Sequence, residues 1–198
     1  MKTKKILFYM LAVIFGGCVP VISLHPLYTE KDVILDKKLY GTWVSDSNDS
    51  KTTWEFKNID EPKNAYKLIF TDENGKKGSF VTHLVKLQSR LFLDIFPEEL
   101  PWDTEDPNKM DWPYNSFFLI PAHTFLKVDS VEPRLKLRLM LESNMQELLK
   151  ENPGAVEHTS VGDRLVLTGS TKKLQEFILK YADDQRVFTD QVILSRKE

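Results

Sequence analysis

The sequence predicts a mostly β domain: an antiparallel meander that closes into a barrel and carries two added helices. Three observations predict it. Apolar residues recur at every second position through much of the chain, the mark of strands with one face buried. Short clusters of turn-forming residues separate these runs at regular intervals, as in sandwiches and barrels. Two stretches in the second half have the three-and-four spacing of a helix face instead. An up-and-down barrel is the simplest closure, because it leaves no strand edge unpaired.

The elements follow in order. Lys2, Lys4 and Lys5 precede an apolar run from Ile6 to Phe15, and Gly16-Gly17 leads into Cys18. A basic stub, a short apolar core and a small-residue cleavage site make a secretory signal. The run is about half the ~20 residues that a membrane-spanning helix needs. Phe15-Gly16-Gly17-Cys18 resembles the bacterial lipobox, with Phe15 where an aliphatic residue is usual. That resemblance implies cleavage after residue 17 and lipid on Cys18, the single cysteine of the chain. Several acyl chains, at ~0.8 kcal/mol per buried methylene, would hold a domain on a membrane. Val19 stands where an Asp would favour inner-membrane retention, so the resemblance implies an outer-membrane address in a cell with two membranes. Residues 18–38 are expected to form a lipidated N-terminal tether running extended along the domain, with Leu24, Leu27 and Tyr28 seeking a protein surface.

A single domain then covers 39–198. Leu39 to Val44 is the first strand, and Asp46-Ser47-Asn48-Asp49-Ser50 a turn. Trp54 and Phe56 alternate with polar neighbours, as do Tyr66, Leu68 and Phe70. Asp72-Glu73-Asn74-Gly75 signals a hairpin, since Asn-Gly accepts positive φ. Ser79–Leu87, Leu91–Phe96, Phe117–Val128 and Arg134–Leu141 continue the meander. In the last, Leu135, Leu137, Leu139 and Leu141 face one way, with Met140 out of pattern. A helix near 144–152 carries Met145, Leu148 and Leu149, with Ser143 and Gln146 as a capping box. Arg164–Thr168 is a strand, and Ser170 or Thr171 caps a helix near 171–183 bearing Leu174, Phe177, Ile178 and Tyr181. Val192–Leu194 closes the count at eight to ten strands.

Gly41-Thr42-Trp43 at the first strand resembles the Gly-x-Trp motif of lipocalins, with Arg196 as a late-strand basic residue. The resemblance implies an eight-stranded barrel closed at one end by the tryptophan and holding an apolar ligand. Its candidate pocket residues are Trp43, Trp54, Phe56, Tyr66, Phe92 and Phe118; for Trp43 a plain core role is the alternative. Ser23 to Thr29 and Leu39-x-Gly41-Thr42-Trp43 together resemble a group of bacterial lipoproteins, a likeness that implies no activity.

The segment Glu98 to Tyr114 is the most unusual in composition. It sets Glu98, Glu99, Asp103, Glu105, Asp106 and Asp111 against Lys109 alone, with Trp102, Trp112 and Tyr114 interleaved. Loops of this length are often functional. Clustered carboxylates suit calcium, aromatics beside carboxylates suit a sugar or peptide, and a solvated loop with its tryptophans folded onto the barrel rim is the plain alternative. Trp102, Asp103, Glu105, Asp106, Asp111 and Trp112 are the candidate interaction residues. His25, His83, His123 and His158 lack the spacing of a helical zinc site. His83 and His123 lie on expected strands and would meet inside a barrel.

The net charge of −2 argues against nucleic acid as a partner. No nucleophile elbow, phosphate-cradling loop or dinucleotide fingerprint occurs, and no catalytic residue, metal or cofactor is implied. The expectation is a membrane-anchored lipoprotein of the bacterial envelope, non-catalytic, binding a small apolar molecule or lipid. The alternatives are an assembly lipoprotein docking an envelope protein through residues 98–114 and, behind it, an envelope hydrolase.

Overall fold

The computed structural model describes residues 19–46, 51–98, 120–189 and 191–197. Cys18, Phe118 and the six candidate residues between Trp102 and Trp112 lie outside them.

In chain order the strands are β1 (Ile22–Ser23), β2 (Val33–Ile34), β3 (Gly41–Ser45), β4 (Thr53–Asn58), β5 (Tyr66–Thr71), β6 (Lys77–Leu87), β7 (Arg90–Pro97), β8 (Thr124–Ser130) and β9 (Arg134–Leu139). Helix α1 (Glu142–Glu151), β10 (His158–Val161), β11 (Arg164–Leu167), α2 (Thr171–Tyr181) and β12 (Gln191–Arg196) follow. The large sheet runs β6-β5-β4-β3-β12-β9-β8-β7, and β7 pairs back onto β6, so eight antiparallel strands form a closed barrel. Between β9 and β12 the chain leaves the barrel to build α1, the β10–β11 hairpin and α2.

Local sequence accounts for most of these elements. Asp72 and Gly75 close the β5–β6 turn, where the Gly75 N–H donates to the Asp72 carbonyl at 3.0 Å and φ is +79°. A positive φ costs glycine nothing, which is why Asn-Gly marks the turn. β6 is long enough to serve two neighbours along one edge: β5 pairs with Lys77–Thr82, and β2 continues that edge at Leu84 and Val85. The strand β2 thus lies outside the barrel.

Two cores result, one on each side of the barrel wall. Inside are Trp43, Phe56, Tyr66, Leu68, Leu84, Leu93, Leu126, Leu135, Leu137 and Leu194, all buried. The outward faces of β6, β7 and β8 contribute Val85, Leu87, Phe92 and Phe125 to the second core, against Met145 and Leu148 of α1, Leu165 and Leu167 of β11, and Leu174, Phe177 and Ile178 of α2. Helical spacing on α1 and α2 therefore does the packing expected of it.

Two local features differ from the sequence expectation. The Leu135–Leu141 alternation ends at Leu139, because the chain then turns into α1, and Met140 moves into the outer core. That explains the one residue out of pattern. No capping box opens α1, which starts at Glu142 after Leu141, and the Ser143 hydroxyl donates to Asn144 instead. The Glu142 carboxylate faces β11, accepting from Arg164 Nε at 2.8 Å and the Leu165 N–H at 3.1 Å.

Residues 19–38 are built into the domain. Val21 and Leu27 are fully buried, β1 pairs in parallel with β11, and β2 joins β6. The segment passes from the β9–α1 junction down the outside of the barrel, and a short 3-10 turn at Lys37–Leu39 then leads into β3.

Candidate functional site

One end of the barrel is sealed. Trp43 is fully buried, and its indole N–H donates to the Leu39 carbonyl of the entering 3-10 turn at 2.9 Å. Arg196 lies over the same ring, with its Cζ 4.4 Å from the centroid. Its Nη1 donates to the Tyr40 carbonyl at 2.7 Å and its Nη2 to the Lys38 carbonyl at 2.5 Å. One guanidinium thus stacks on the tryptophan and ties down the lid. Gly41 makes this possible: its φ is +113°, and a Cβ there would stand 2.8 Å from Arg196 Nη1. The Tyr66 hydroxyl secures the lid from within, accepting from the Asp36 N–H at 2.7 Å, and burial pushes the phenol pKa up to about 12. Leu39, Phe56, Leu135 and Leu194 fill the space behind Trp43.

Toward the other end the interior is packed less completely. Strand register puts Trp54 opposite both Trp43 and Phe70, on the inward face. Trp54, Phe70, Phe80, Leu139 and Val192 are only partly buried. The Phe80 ring leans over Gly78, where a Cβ would meet it at 2.8 Å. Two inward-facing polar atoms lack partners. Trp54 Nε1 and Thr82 Oγ1 are each buried, with no hydrogen-bond partner among the described residues. Thr82 is wholly buried between Tyr66 and Ile95 on the neighbouring strands. Unpaired buried groups of this kind cost about 1–3 kcal/mol each, and water or a ligand commonly satisfies them.

The structure sorts the expected pocket residues. Trp43, Phe56 and Tyr66 belong to the filled end, and Trp54 to the less filled one. Phe92 is on the outer wall: it pairs with Val85 and packs 5.8 Å from Phe188 in the outer core. Its parity along β7 is opposite to that of Leu93, which faces inward.

His83 and His123 do come together, but outside the barrel and around a residue the sequence reading passed over. Asp94 is 1% exposed. Its Oδ1 is 2.6 Å from His123 Nδ1, and its Oδ2 accepts the Leu27 N–H at 2.7 Å. His83 sits opposite Asp94 in the β6–β7 register, with the Tyr28 ring 4.2 Å away. Burial lowers the His83 pKa below 6.5, against the opposing pull of Asp94. Burial first and the Asp94 charge second push the Tyr28 phenol up to about 12. Both Asp94 oxygens are occupied, so the group fixes the N-terminal segment to the barrel. The available signal was an acidic residue inside the apolar run Leu91 to Phe96, where an unpaired charge would be costly.

Of the acidic segment, Glu98 alone is described, and it turns back onto the barrel, accepting from Lys67 Nζ at 2.9 Å and from the Ser79 hydroxyl. Those bonds outweigh burial and hold its carboxyl below the usual range. Among the described residues no group of three or more acidic, histidine or cysteine side chains is placed to hold a metal ion.

Fold and geometry together define a closed eight-stranded antiparallel barrel, plugged at one end by a Trp–Arg stack. No protein family, curated protein or solved structure matches the chain.

Proposed function

We propose that this chain is a lipid-anchored lipoprotein of the bacterial envelope, with a lipocalin-like barrel that takes an amphipathic small molecule at its Trp54 end. The observation that carries the binding reading is the orphan Trp54 Nε1, inside an otherwise apolar barrel; the second orphan, Thr82 Oγ1, lies toward the lid, opposite Tyr66. A ligand with an apolar body and one acceptor oxygen suits this end. Its hydrocarbon part would rest on Phe70, Phe80, Leu139 and Val192, and an oxygen would accept from the Trp54 indole. Trp43, the direct cross-strand neighbour of Trp54, bounds such a ligand on the lid side. Cys18 supplies the anchor in this reading, on the strength of the lipobox-like N-terminus.

The test uses the full chain purified from its envelope without denaturation. Gentle mass spectrometry is expected to find a lipid mass on Cys18 and a stoichiometric apolar compound held non-covalently. A fluorescent fatty acid should bind in its place, and Trp54→Phe, which keeps the ring and removes the N–H, should weaken it about two- to tenfold. Preparations that are consistently empty, with no probe binding, overturn the carrier reading.

A further inference from the structure

Val19, the first described residue, and the less filled end of the barrel lie at the same pole. Val19, one peptide bond from Cys18, is held there by its own backbone: its carbonyl accepts the Glu142 N–H at 3.0 Å. Pro20 bridges to Leu141, the Val21 carbonyl accepts the Thr124 hydroxyl at 2.9 Å, and Ser23 pairs with His123. Leu141 lies beyond the end of β9, and Thr124 begins β8. Both are at the rim away from the Trp43 lid, for the strand ends that meet the lid are the start of β3 and the end of β12.

We infer that the pole of the barrel that carries Val19 faces the membrane, and that Leu24, Ile120 and the β10–β11 hairpin beside it rest on the lipid surface. The inference depends on the lipidation proposed above and adds the orientation that lipidation alone would leave free. A residue spans at most about 3.6 Å. With Val19 bonded to the domain, a lipid on Cys18 leaves no slack for the barrel to turn over. Exposed apolar side chains are distributed accordingly. Among the described residues the exposed large hydrophobics are Leu24, Leu35, Ile120 and Val161. Three of them flank the Val19–Leu24 segment. Val161 is at the tip of the β10–β11 hairpin, opposite Arg164, whose Nη2 reaches the Pro20 carbonyl at 3.4 Å. Leu24 bonds to Leu167, and Ile120 precedes the His123 bridge. Exposed apolar groups beside an acyl anchor gain from entering the interface between headgroups and acyl chains.

The experiment places a fluorophore on the full acylated chain through an added cysteine, Cys18 being blocked by its lipid. Val161→Cys and Ile120→Cys report the proposed membrane face, and Lys38→Cys reports the lid. Each is reconstituted in phosphatidylethanolamine–phosphatidylglycerol vesicles containing brominated acyl chains, and the intact mass confirms the lipid on Cys18. Quenching several-fold stronger at 161 and 120 than at 38 is the expected result. Equal quenching at all three sites, or stronger quenching at 38, on a protein that carries the lipid mass overturns the orientation and leaves the lipoprotein reading standing. A chain lacking the lipid mass overturns both.

Discussion

Gly41→Ala offers the sharpest probe of how the barrel is sealed. Two separate costs attach to the new methyl group. A non-glycine residue held at a φ of +113° carries backbone strain of about 1–3 kcal/mol. The Cβ also stands 2.8 Å from Arg196 Nη1, so the guanidinium must leave Trp43, at a loss of about 0.5–2 kcal/mol for the stacking. Together these predict destabilisation of roughly 2–4 kcal/mol, with the Tm lowered by about 5–15 °C for a domain of this size. Urea unfolding followed by tryptophan fluorescence measures it, in a cycle with Arg196→Ala. Removing Arg196 first abolishes the clash and leaves the φ strain, so Gly41→Ala should cost about 0.5–2 kcal/mol less in that background. Gly41→Ala within about 0.5 kcal/mol of the parent, or an equal cost in both backgrounds, would refute the reasoning.

Other perturbations test other joints. Asp94→Ala strands the Leu27 N–H and the His123 ring in a buried site, which should cost about 2–5 kcal/mol and speed hydrogen exchange at the Leu27 amide; an unchanged exchange rate there would contradict its role as a latch. Tyr66→Phe removes the acceptor of the Asp36 N–H and should cost about 1 kcal/mol, while the phenol that titrates near 12 disappears from the ultraviolet pH titration. His83 gives a pH dependence of definite sign. Because burial depresses its pKa in the fold below the unfolded value of 6.5, the unfolded chain takes up the proton first as pH falls. Stability contributed by neutral His83 is therefore complete above 6.5 and is lost as pH drops through the folded pKa. Urea midpoints measured between about pH 7.5 and 5 should fall in the parent and fall less in His83→Asn, with Tyr28, Asp94 and His123 left in place around it.

Much of the barrel was legible because each strand alternates. Trp54 and Phe56, Tyr66 and Leu68, and Leu135 and Leu137 declare an inward face by their spacing alone, and the turn at Asn74-Gly75 declares its own conformation. Two-residue strands carry no such period. β1 and β2 exist only because β11 and β6 offer free edges to them, so nothing local marks them. Phe92 shows a second limit. Both sides of β7 are apolar, since the outward side is covered by helices, and spacing by itself cannot say which set lines the barrel. His83 follows the same rule, with Val85 and Leu87 as its outward companions.

For the candidate site, Gly41, Trp43 and Arg196 could be picked from the sequence as a pattern, and the structure supplies the cause of that pattern: one guanidinium fits against one ring only where the intervening glycine has no side chain. Trp54 was legible as an inward aromatic, but the orphan state of its N–H was not, because a hydrogen-bond deficit is a property of three-dimensional surroundings. Asp94 was overlooked for the opposite reason. A lone carboxylate in an apolar run looks costly until the Leu27 amide and the His123 ring, 67 and 29 positions away in the chain, are brought to it.

The sequence by itself determined the β character, most of the barrel strands and the two helix faces, since each is written in local spacing of apolar, charged and turn-forming residues. Tertiary structure alone decided which apolar face looks inward, that residues 19–38 are bonded to the barrel wall, where polar atoms lie buried without partners, and that Val19 shares a pole with the less filled end. These depend on contacts between segments distant in the chain, and no local period encodes a contact whose other half lies on another strand.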